Sequence, residues 1–163
     1  MSDAVRNGAR KTLPSGMSAG RGHSKNTAGS SIKPQRINLP GADLALHTDI
    51  GVPQPEKLLQ RLINQTQWQQ EDITLFGRTH PQPRLVAWYG DANAHYTYSG
   101  IAHMPIPWTR DLSALRSRVE EICDCTFNSV LLNFYRDQRD SMGLHADDEP
   151  ELGATPVIAS LSL

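Results

Sequence analysis

The feature that most constrains the fold is the nearly continuous apolar run at residues 129–135. A polar loop connects this run to His145 and Asp147. Such a run is typical of a strand that is buried on both faces. In an extended segment, residues two positions apart share a face, so this imidazole and this carboxylate would converge on one point. They would supply two of the three ligands of a two-histidine-one-carboxylate site for non-haem iron(II). The alternative is a surface loop in which the pair occurs by chance.

Two amphipathic helices are predicted ahead of this run. The first begins at Pro55, because proline is well tolerated in the first turn of a helix. The second covers about residues 109–123, where apolar residues recur at spacings of 4, 3, 4 and 3. The apolar stripes are Leu58, Leu59, Leu62 and Ile63 for the first helix and Trp108, Leu112, Leu115, Val119 and Ile122 for the second.

Further strands are predicted at residues 73–76, at residues 85–89 and within residues 156–163. A Gly/Pro loop separates the first two, and the short segment 43–50 is compatible with another strand leading into the domain. Helices and strands that follow one another without regular alternation favour an α+β fold.

Residues 1–36 differ in composition from the rest of the chain. They carry seven Lys/Arg and one acidic residue, and they are rich in Gly, Ser and Asn without apolar periodicity. We interpret them as a disordered basic arm, followed by a domain at residues 37–163. Such an arm suits weak, salt-sensitive attraction to phosphate backbones, although for the arm alone a solvated tail is the favoured interpretation.

No apolar stretch is long enough to span a membrane, and no apolar signal-peptide core lies near Met1. Cys123 and Cys125 have no second pair to form a zinc site and are poorly placed for a structural disulfide. Reduced thiols favour a cytoplasmic protein, which we expect to be monomeric. If the source is eukaryotic, a nuclear or organellar location is also compatible with the arm.

Four segments surround the His-x-Asp pair in a distinctive order: residues 83–91, 96–100, 127–137 and 156–163. In order and spacing they resemble the AlkB family of iron(II)- and 2-oxoglutarate-dependent dioxygenases, over about residues 75–163. The likeness is greatest to the animal AlkB homologues two and three and their bacterial relatives. The resemblance implies a double-stranded β-helix, the jelly-roll core of such oxygenases, flanked by N-terminal helices.

The resemblance also implies roles for residues near the predicted metal. His145 and Asp147 match the family's first two iron ligands, with O2 as the oxidant. Asn133 and Tyr135 match residues that hydrogen-bond 2-oxoglutarate, and an amide and a phenol can donate to a carboxylate without adding charge. From periodicity alone, Asn133 would instead cap a bulge and Tyr135 would belong to the core.

The family's substrate pocket is lined by aromatic residues that hold a base extruded from nucleic acid. The matching residues here are Trp88, Tyr89, Tyr96 and Tyr98, although aromatic residues on strands are more often core residues. Asp148 and Glu149 follow the metal carboxylate and would favour a cationic methylated base, unless they are ordinary surface residues. Four scattered arginines, which are usually solvated, are candidates for phosphate contacts; they are Arg84, Arg110, Arg136 and Arg139.

The implied function is oxidative dealkylation of N-alkylated bases in DNA, with release of succinate, CO2 and an aldehyde. An RNA or protein demethylase with the same cofactors is the alternative, and residues 88–91 favour nucleic acid. In the family, a distal iron-binding histidine and two 2-oxoglutarate-binding arginines lie beyond the position of Leu163. We therefore expect a truncated copy or an incomplete gene model of a dioxygenase, with a jelly roll that is incomplete at its C-terminus. As given, such a chain is expected to bind metal weakly, to fold poorly and to have little activity. A third hypothesis is an inactive fragment that only binds nucleic acid through its arm.

Overall fold

A computed structural model of the chain describes the backbone of residues 2–6, 33–75, 77–94, 96–98, 101–145 and 155–163. Side chains are described within the same ranges except at residues 2–6, 75, 96–98 and 101–103. The chain divides into two compact units, one comprising Met1–Ala9 with Gln54–Leu163 and the other comprising Arg10–Pro53.

The described residues form eleven strands and two helices. The strands are β1 (Ser2–Arg6), β2 (Gln35–Leu39), β3 (Ala42–Leu46), β4 (Asp72–Leu75), β5 (Arg78–Pro81), β6 (Leu85–Gly90), β7 (Tyr96–Tyr98), β8 (Ile101–His103), β9 (Ile106–Pro107), β10 (Ser129–Phe134) and β11 (Ile158–Ser162). The helices are α1 (Pro55–Gln65) and α2 (Arg110–Cys123). Neither described helix is long and apolar enough to cross a membrane.

Both predicted helices are confirmed, and local chemistry explains where they begin. Pro55 occupies the first turn of α1, where its missing N–H leaves no hydrogen bond unmade. The hydroxyl of Thr109 caps α2 by accepting a hydrogen bond from the backbone N–H of Leu112 at 3.2 Å. The two helices are joined by a bidentate ion pair, in which Arg61 donates to Asp111 at 2.7 and 3.2 Å.

Five strands form the main sheet, in the order β11-β1-β10-β6-β9. Neighbouring strands are antiparallel except β6 and β9, which pair in parallel over two residues. The central strand β10 is buried at four of its six positions, which confirms the prediction that residues 129–135 include a buried strand.

The sheet has two different faces, which the register of β6 and β10 defines. Because side chains alternate along a strand, Val130, Leu132, Ala87 and Tyr89 lie on one face. We call this the helix-covered face, since Val130 lines a small cavity together with apolar residues of α2. We call the other side the opposite face; it carries Leu131, Asn133, Val86 and Trp88.

Three two-stranded hairpins accompany the sheet in the described part of the chain: β2–β3, β4–β5 and β7–β8. The turns of the first two contain Gly41 and Gly77 at φ of 79° and 75°, a conformation that glycine adopts without steric cost. Helices, one mixed sheet and separate hairpins confirm the α+β class. Strand β5 lies where the sequence predicts a loop, because its pairing with β4 depends on the Gly77 turn rather than on an apolar pattern.

The predicted disordered arm is corrected at two places, since Ser2–Arg6 forms β1 and β2 begins at Gln35. Strand β1 lies between β10 and β11 and pairs with both along its whole length. Pairing on both sides satisfies its backbone polar groups whatever side chains it carries, so the polar composition of the arm does not prevent it. Residues 7–32 of the arm lie outside the described residues.

Candidate active site

Asn133 is a buried polar residue at the end of the sheet's central strand. Its exposed fraction is 4%, and it lies on the opposite face, away from α2. A polar side chain removed from water needs hydrogen-bond partners, otherwise its burial costs free energy. Tyr135 follows two residues later and is half-buried. Both predicted co-substrate residues are therefore close together at the end of β10.

One partner of Asn133 is Arg84, which lies one residue before β6. The Nε–H of Arg84 donates to Oδ1 of Asn133 at 2.9 Å, across 49 positions of sequence. The sequence analysis considered Arg84 only as a candidate for phosphate contacts. Its engagement with a buried amide was not predictable from a local pattern, because the two residues become neighbours only through the pairing of β6 with β10.

Backbone hydrogen bonds fix the segment that carries Arg84. The N–H of Gln82 donates to the carbonyl of Glu71 at 2.7 Å, and the N–H of Arg84 donates to the carbonyl of Gln82 at 2.8 Å. The carbonyl of Pro83 accepts from the N–H of Ser141 at 2.8 Å. Ser141 belongs to the loop between Tyr135 and His145, so the Arg84 segment and the loop before the predicted metal ligand are tied together.

That loop is also closed on itself by an ion pair between Arg136 and Asp140. The backbone N–H and Nε of Arg136 donate to Oδ2 of Asp140 at 2.9 and 2.7 Å, and Nη2 donates to Oδ1 at 2.9 Å. These bonds from Arg136 lower the pKa of Asp140 to about 2. Arg139 pairs with Asp137 at 2.7 Å in the same loop. Two of the arginines proposed for phosphate contacts therefore have carboxylate partners within the loop.

His145 is exposed, and its Nδ1 lies 3.0 Å from the carbonyl oxygen of Gly143. A carbonyl can only accept a hydrogen bond, so this contact requires the proton on Nδ1 and leaves the lone pair on Nε2. A hydrogen bond from the other ring nitrogen is the usual way in which proteins orient a metal-binding histidine. The donor chemistry of His145 therefore fits the predicted iron ligand.

The second predicted ligand, Asp147, lies outside the described residues, as do Asp148 and Glu149. Within the described ranges, no group of three or more His, Cys, Asp or Glu residues is placed to hold a metal ion. The structure therefore provides one oriented imidazole for the predicted iron site, and the carboxylate stays a prediction.

The predicted substrate residues Trp88 and Tyr89 are adjacent in β6 but lie on different faces. Trp88 is half-buried on the opposite face, where it pairs with Leu131, two positions from Asn133. Tyr89 is only 1% exposed on the helix-covered face, and its hydroxyl oxygen accepts from the N–H of Gln67 at 3.3 Å. The prediction that Tyr89 contacts substrate is corrected: it is a core residue, because the helices cover its side of the sheet.

The next two residues of the same motif have packing roles. A Cβ at Gly90 would lie 2.9 Å from the carbonyl oxygen of Asn128, so only glycine fits there. Oδ1 of Asp91 accepts from the indole N–H of Trp108 and from Nη1 of Arg116, both at 2.9 Å. The sequence analysis missed this Asp91 cluster, since its partners are Arg116 in α2 and Trp108, which lies two residues before that helix.

Tyr96 and Tyr98 begin and end β7, which pairs with β8, and their side chains lie outside the described parts of the structure. Arg110 is an exposed residue in the first turn of α2.

The chain matches a family model described as the 2OG-Fe(II) oxygenase superfamily over residues 45–163. The chain belongs to this superfamily. Within the superfamily it is AlkB-like, since it is 48% identical over 119 residues to rat alpha-ketoglutarate-dependent dioxygenase alkB homolog 3 and 44% identical over 114 residues to the human protein of that name. It is also 35% identical over 144 residues to human DNA oxidative demethylase ALKBH2. The predicted AlkB resemblance is confirmed.

Each match covers a larger share of this chain than of the relative. The rat alkB homolog 3 match covers 69% of this chain and 38% of the relative, and the human one covers 69% and 39%. The human ALKBH2 match covers 86% of this chain and 54% of the relative. The chain thus spans about two fifths of the length of the alkB homolog 3 proteins. Iron(II) and 2-oxoglutarate are the cofactors that membership of the superfamily implies.

Proposed function

We propose that this AlkB-like chain acts in the oxidative dealkylation of N-alkylated bases in DNA, on a jelly-roll framework of which the described sheet is one side. The observation that carries the proposal is the buried amide of Asn133, whose oxygen accepts a hydrogen bond from half-buried Arg84. Burial of a polar side chain on a strand costs free energy, and binding of a co-substrate carboxylate by this amide would give Asn133 a role at that position.

In this proposal Nε2 of His145 and the carboxylate of Asp147 hold iron(II). Bound iron and 2-oxoglutarate supply the oxidation, in which O2 gives one oxygen atom to succinate, formed with CO2, and one to the N-methyl group, which leaves as formaldehyde. The amide of Asn133 and the phenol of Tyr135 donate hydrogen bonds to the co-substrate. The oriented His145 tautomer supports this assignment, because it presents a lone pair at Nε2.

Trp88, Tyr96 and Tyr98 are proposed to hold the flipped base, and Asp148 with Glu149 to favour a positively charged methylated base over its neutral parent. The half-buried position of Trp88 on the same face as Asn133 supports its part in this assignment. DNA is the proposed substrate class because the relative ALKBH2 is named a DNA oxidative demethylase.

The test is formaldehyde and succinate release from DNA oligonucleotides that carry 1-methyladenine, with the full chain, iron(II) and 2-oxoglutarate. Unmethylated DNA is the substrate control. His145→Ala is expected to abolish release, whereas the matched variant His47→Ala, in the Arg10–Pro53 unit, is expected to keep it. Absence of methyl-dependent release from every substrate would overturn the proposal.

The alternatives give other outcomes in the same experiment. Release of formaldehyde and succinate from methylated RNA or peptide, but not from DNA, would overturn the proposed substrate class. It would leave the proposed dealkylation reaction unchanged. No release, with DNA binding that survives His145→Ala and disappears when residues 1–36 are deleted, would identify a binding module that acts through its basic arm.

A further inference from the structure

We infer that Arg84 is a positioning residue for the co-substrate, because it fixes the amide of Asn133 in the orientation that can bind a carboxylate. The inference rests on the proposed function and extends it to a residue that touches Asn133 rather than the reacting atoms. It starts from one contact, the 2.9 Å hydrogen bond from Nε of Arg84 to Oδ1 of Asn133.

A guanidinium carries only donors, so the Asn133 atom that faces Arg84 must be the carbonyl oxygen. This assignment follows from the chemistry of the partner and not from the shape of the amide, whose two ends look alike. The amide nitrogen of Asn133, with its two donor hydrogens, is therefore turned away from Arg84. A carboxylate is an acceptor and can be bound only by that nitrogen end.

With Arg84 in place, the turned state of the Asn133 amide would bring two donors together, so removing Arg84 makes that state less costly. In the turned state the carbonyl oxygen would face the co-substrate carboxylate, and two acceptors would repel each other. A donor that is already held in its binding orientation does not lose that freedom when the ligand arrives, so affinity increases.

The position of Arg84 is itself fixed by the backbone bonds around it. The neighbouring carbonyl of Pro83 accepts from Ser141 at 2.8 Å, and the N–H of Arg84 donates to Gln82 at 2.8 Å. The Ser141 bond ties this segment to the loop that ends at His145. The segment of Arg84 thus contacts both Asn133 and the loop that leads to the proposed metal ligand. Functional sites need such supporting contacts, because these hold the binding side chains in position.

The experiment measures the affinity of the full chain, loaded with iron(II) under anaerobic conditions, for 2-oxoglutarate. The charge-transfer absorbance of the bound co-substrate is the readout, so no turnover is needed. Arg84→Met removes both the Nε donor and the charge, and it is expected to weaken binding about five- to thirty-fold, which corresponds to about 1–2 kcal/mol. Arg84→Lys keeps a donor and the charge, so it is expected to recover part of the affinity.

Arg118→Met is the matched control, because Arg118 forms an ion pair with Glu121 on α2 and removing it changes the net charge equally. It is expected to leave the affinity for 2-oxoglutarate unchanged. Weakening by Arg118→Met equal to that by Arg84→Met would reduce the effect to net charge and overturn the inference.

A double-mutant cycle with Asn133→Ala separates positioning from direct contact. If Arg84 acts through Asn133, adding Arg84→Met to Asn133→Ala weakens binding no further. Additive losses would overturn the inference. Thermal melting checks that each variant is folded, and if Arg84→Met does not fold, the same cycle with Arg84→Lys decides.

The failure of the inference and the failure of the proposed function give different results. If the unmodified chain binds no 2-oxoglutarate in the presence of iron(II), the proposed function fails at its first step. If the unmodified chain binds and Asn133→Ala weakens binding while Arg84→Met does not, the proposed function stands and only the inference is overturned.

Discussion

The two faces of the β6–β10 pair use the same strands for different purposes. On the helix-covered face, Leu132 is fully buried and Tyr89 is 1% exposed, and both contribute to the core beneath the helices. On the opposite face, one residue away along each strand, Asn133 is buried with Arg84 as its partner and Trp88 is half-buried. The contrast separates the residues that hold the fold from those that the proposed chemistry needs.

This difference explains why a motif match alone does not assign roles. Residues 88–91 resemble the nucleic-acid members of the family as a block, yet Tyr89, Gly90 and Asp91 serve packing or cluster formation. Among the side chains of these residues, that of Trp88 lies on the face that carries Asn133, where the proposed substrate would bind. Substitutions of neighbouring residues on the two faces test this difference in role.

The largest expected effect is on stability, at the fully buried Leu132. Leu132→Ala is expected to lower the free energy of unfolding by about 3 kcal/mol, because it leaves a cavity between the sheet and the helices. Leu131→Ala, at a half-buried position on the opposite face, is expected to cost about half as much. Urea denaturation measures both, and equal losses would mean that the faces do not differ in packing.

A second stability effect is expected at Gly90. Gly90→Ala is expected to cost about 2 kcal/mol, since the new methyl group would overlap the carbonyl oxygen of Asn128 and crowd Pro105. At Gly143 no atom lies within 4 Å of an added Cβ, so Gly143→Ala is the matched control and should change stability by less than about 0.5 kcal/mol. Thermal melting of the two variants checks this, and a neutral Gly90→Ala would contradict the close packing.

Adjacent aromatic residues provide the sharpest comparison of roles. Tyr89→Phe removes the hydrogen bond to Gln67 and is expected to cost about 1 kcal/mol of stability with no effect on substrate affinity. Trp88→Ala is expected to weaken binding of methylated DNA about tenfold, the contribution of one stacked base. Fluorescence anisotropy with labelled oligonucleotides measures the affinities. An effect of Tyr89→Phe on DNA affinity as large as that of Trp88→Ala would reverse the assignment.

The smallest expected effect is the pH dependence at Asp140. Hydrogen bonds from Arg136 lower the pKa of Asp140 to about 2, below its unfolded value of about 3.9. A carboxyl with a lowered folded pKa stabilises the fold above its unfolded pKa and loses that contribution as the pH falls through its folded pKa. Asp140→Asn should therefore lower the melting temperature slightly at pH 6, and the difference from the unmodified chain should vanish by about pH 2. A difference that does not change with pH would contradict the ion pair.

Much of the fold could be predicted from the sequence where local chemistry determines it. Pro55 and Thr109 mark the helix starts, and the apolar run before His145 marks the central strand. Strands β1 and β5 could not be predicted, because backbone pairing holds them and their side chains show no apolar alternation. The hairpin turn at Gly77 is visible only once its two strands are known.

The candidate site could be predicted at residues that belong to short motifs, namely His145 with Asp147 and Asn133 with Tyr135. The role of Arg84 could not, since its partner is 49 residues away in sequence. The difference in burial between Trp88 and Tyr89 could not be predicted either, because both are aromatic residues in one apolar strand. Only the position of the helices decides which of them is buried.

The most direct test of the two-face account is the iron(II)-dependent affinity for 2-oxoglutarate of Asn133→Ala and Leu132→Ala, which change neighbouring residues on opposite faces. The account predicts that Asn133→Ala remains folded and binds 2-oxoglutarate at least about tenfold more weakly, the loss of a charge-assisted hydrogen bond. It predicts that the folded fraction of Leu132→Ala binds as tightly as the unmodified chain. Unchanged affinity in Asn133→Ala, or an equal loss in both variants, would contradict it.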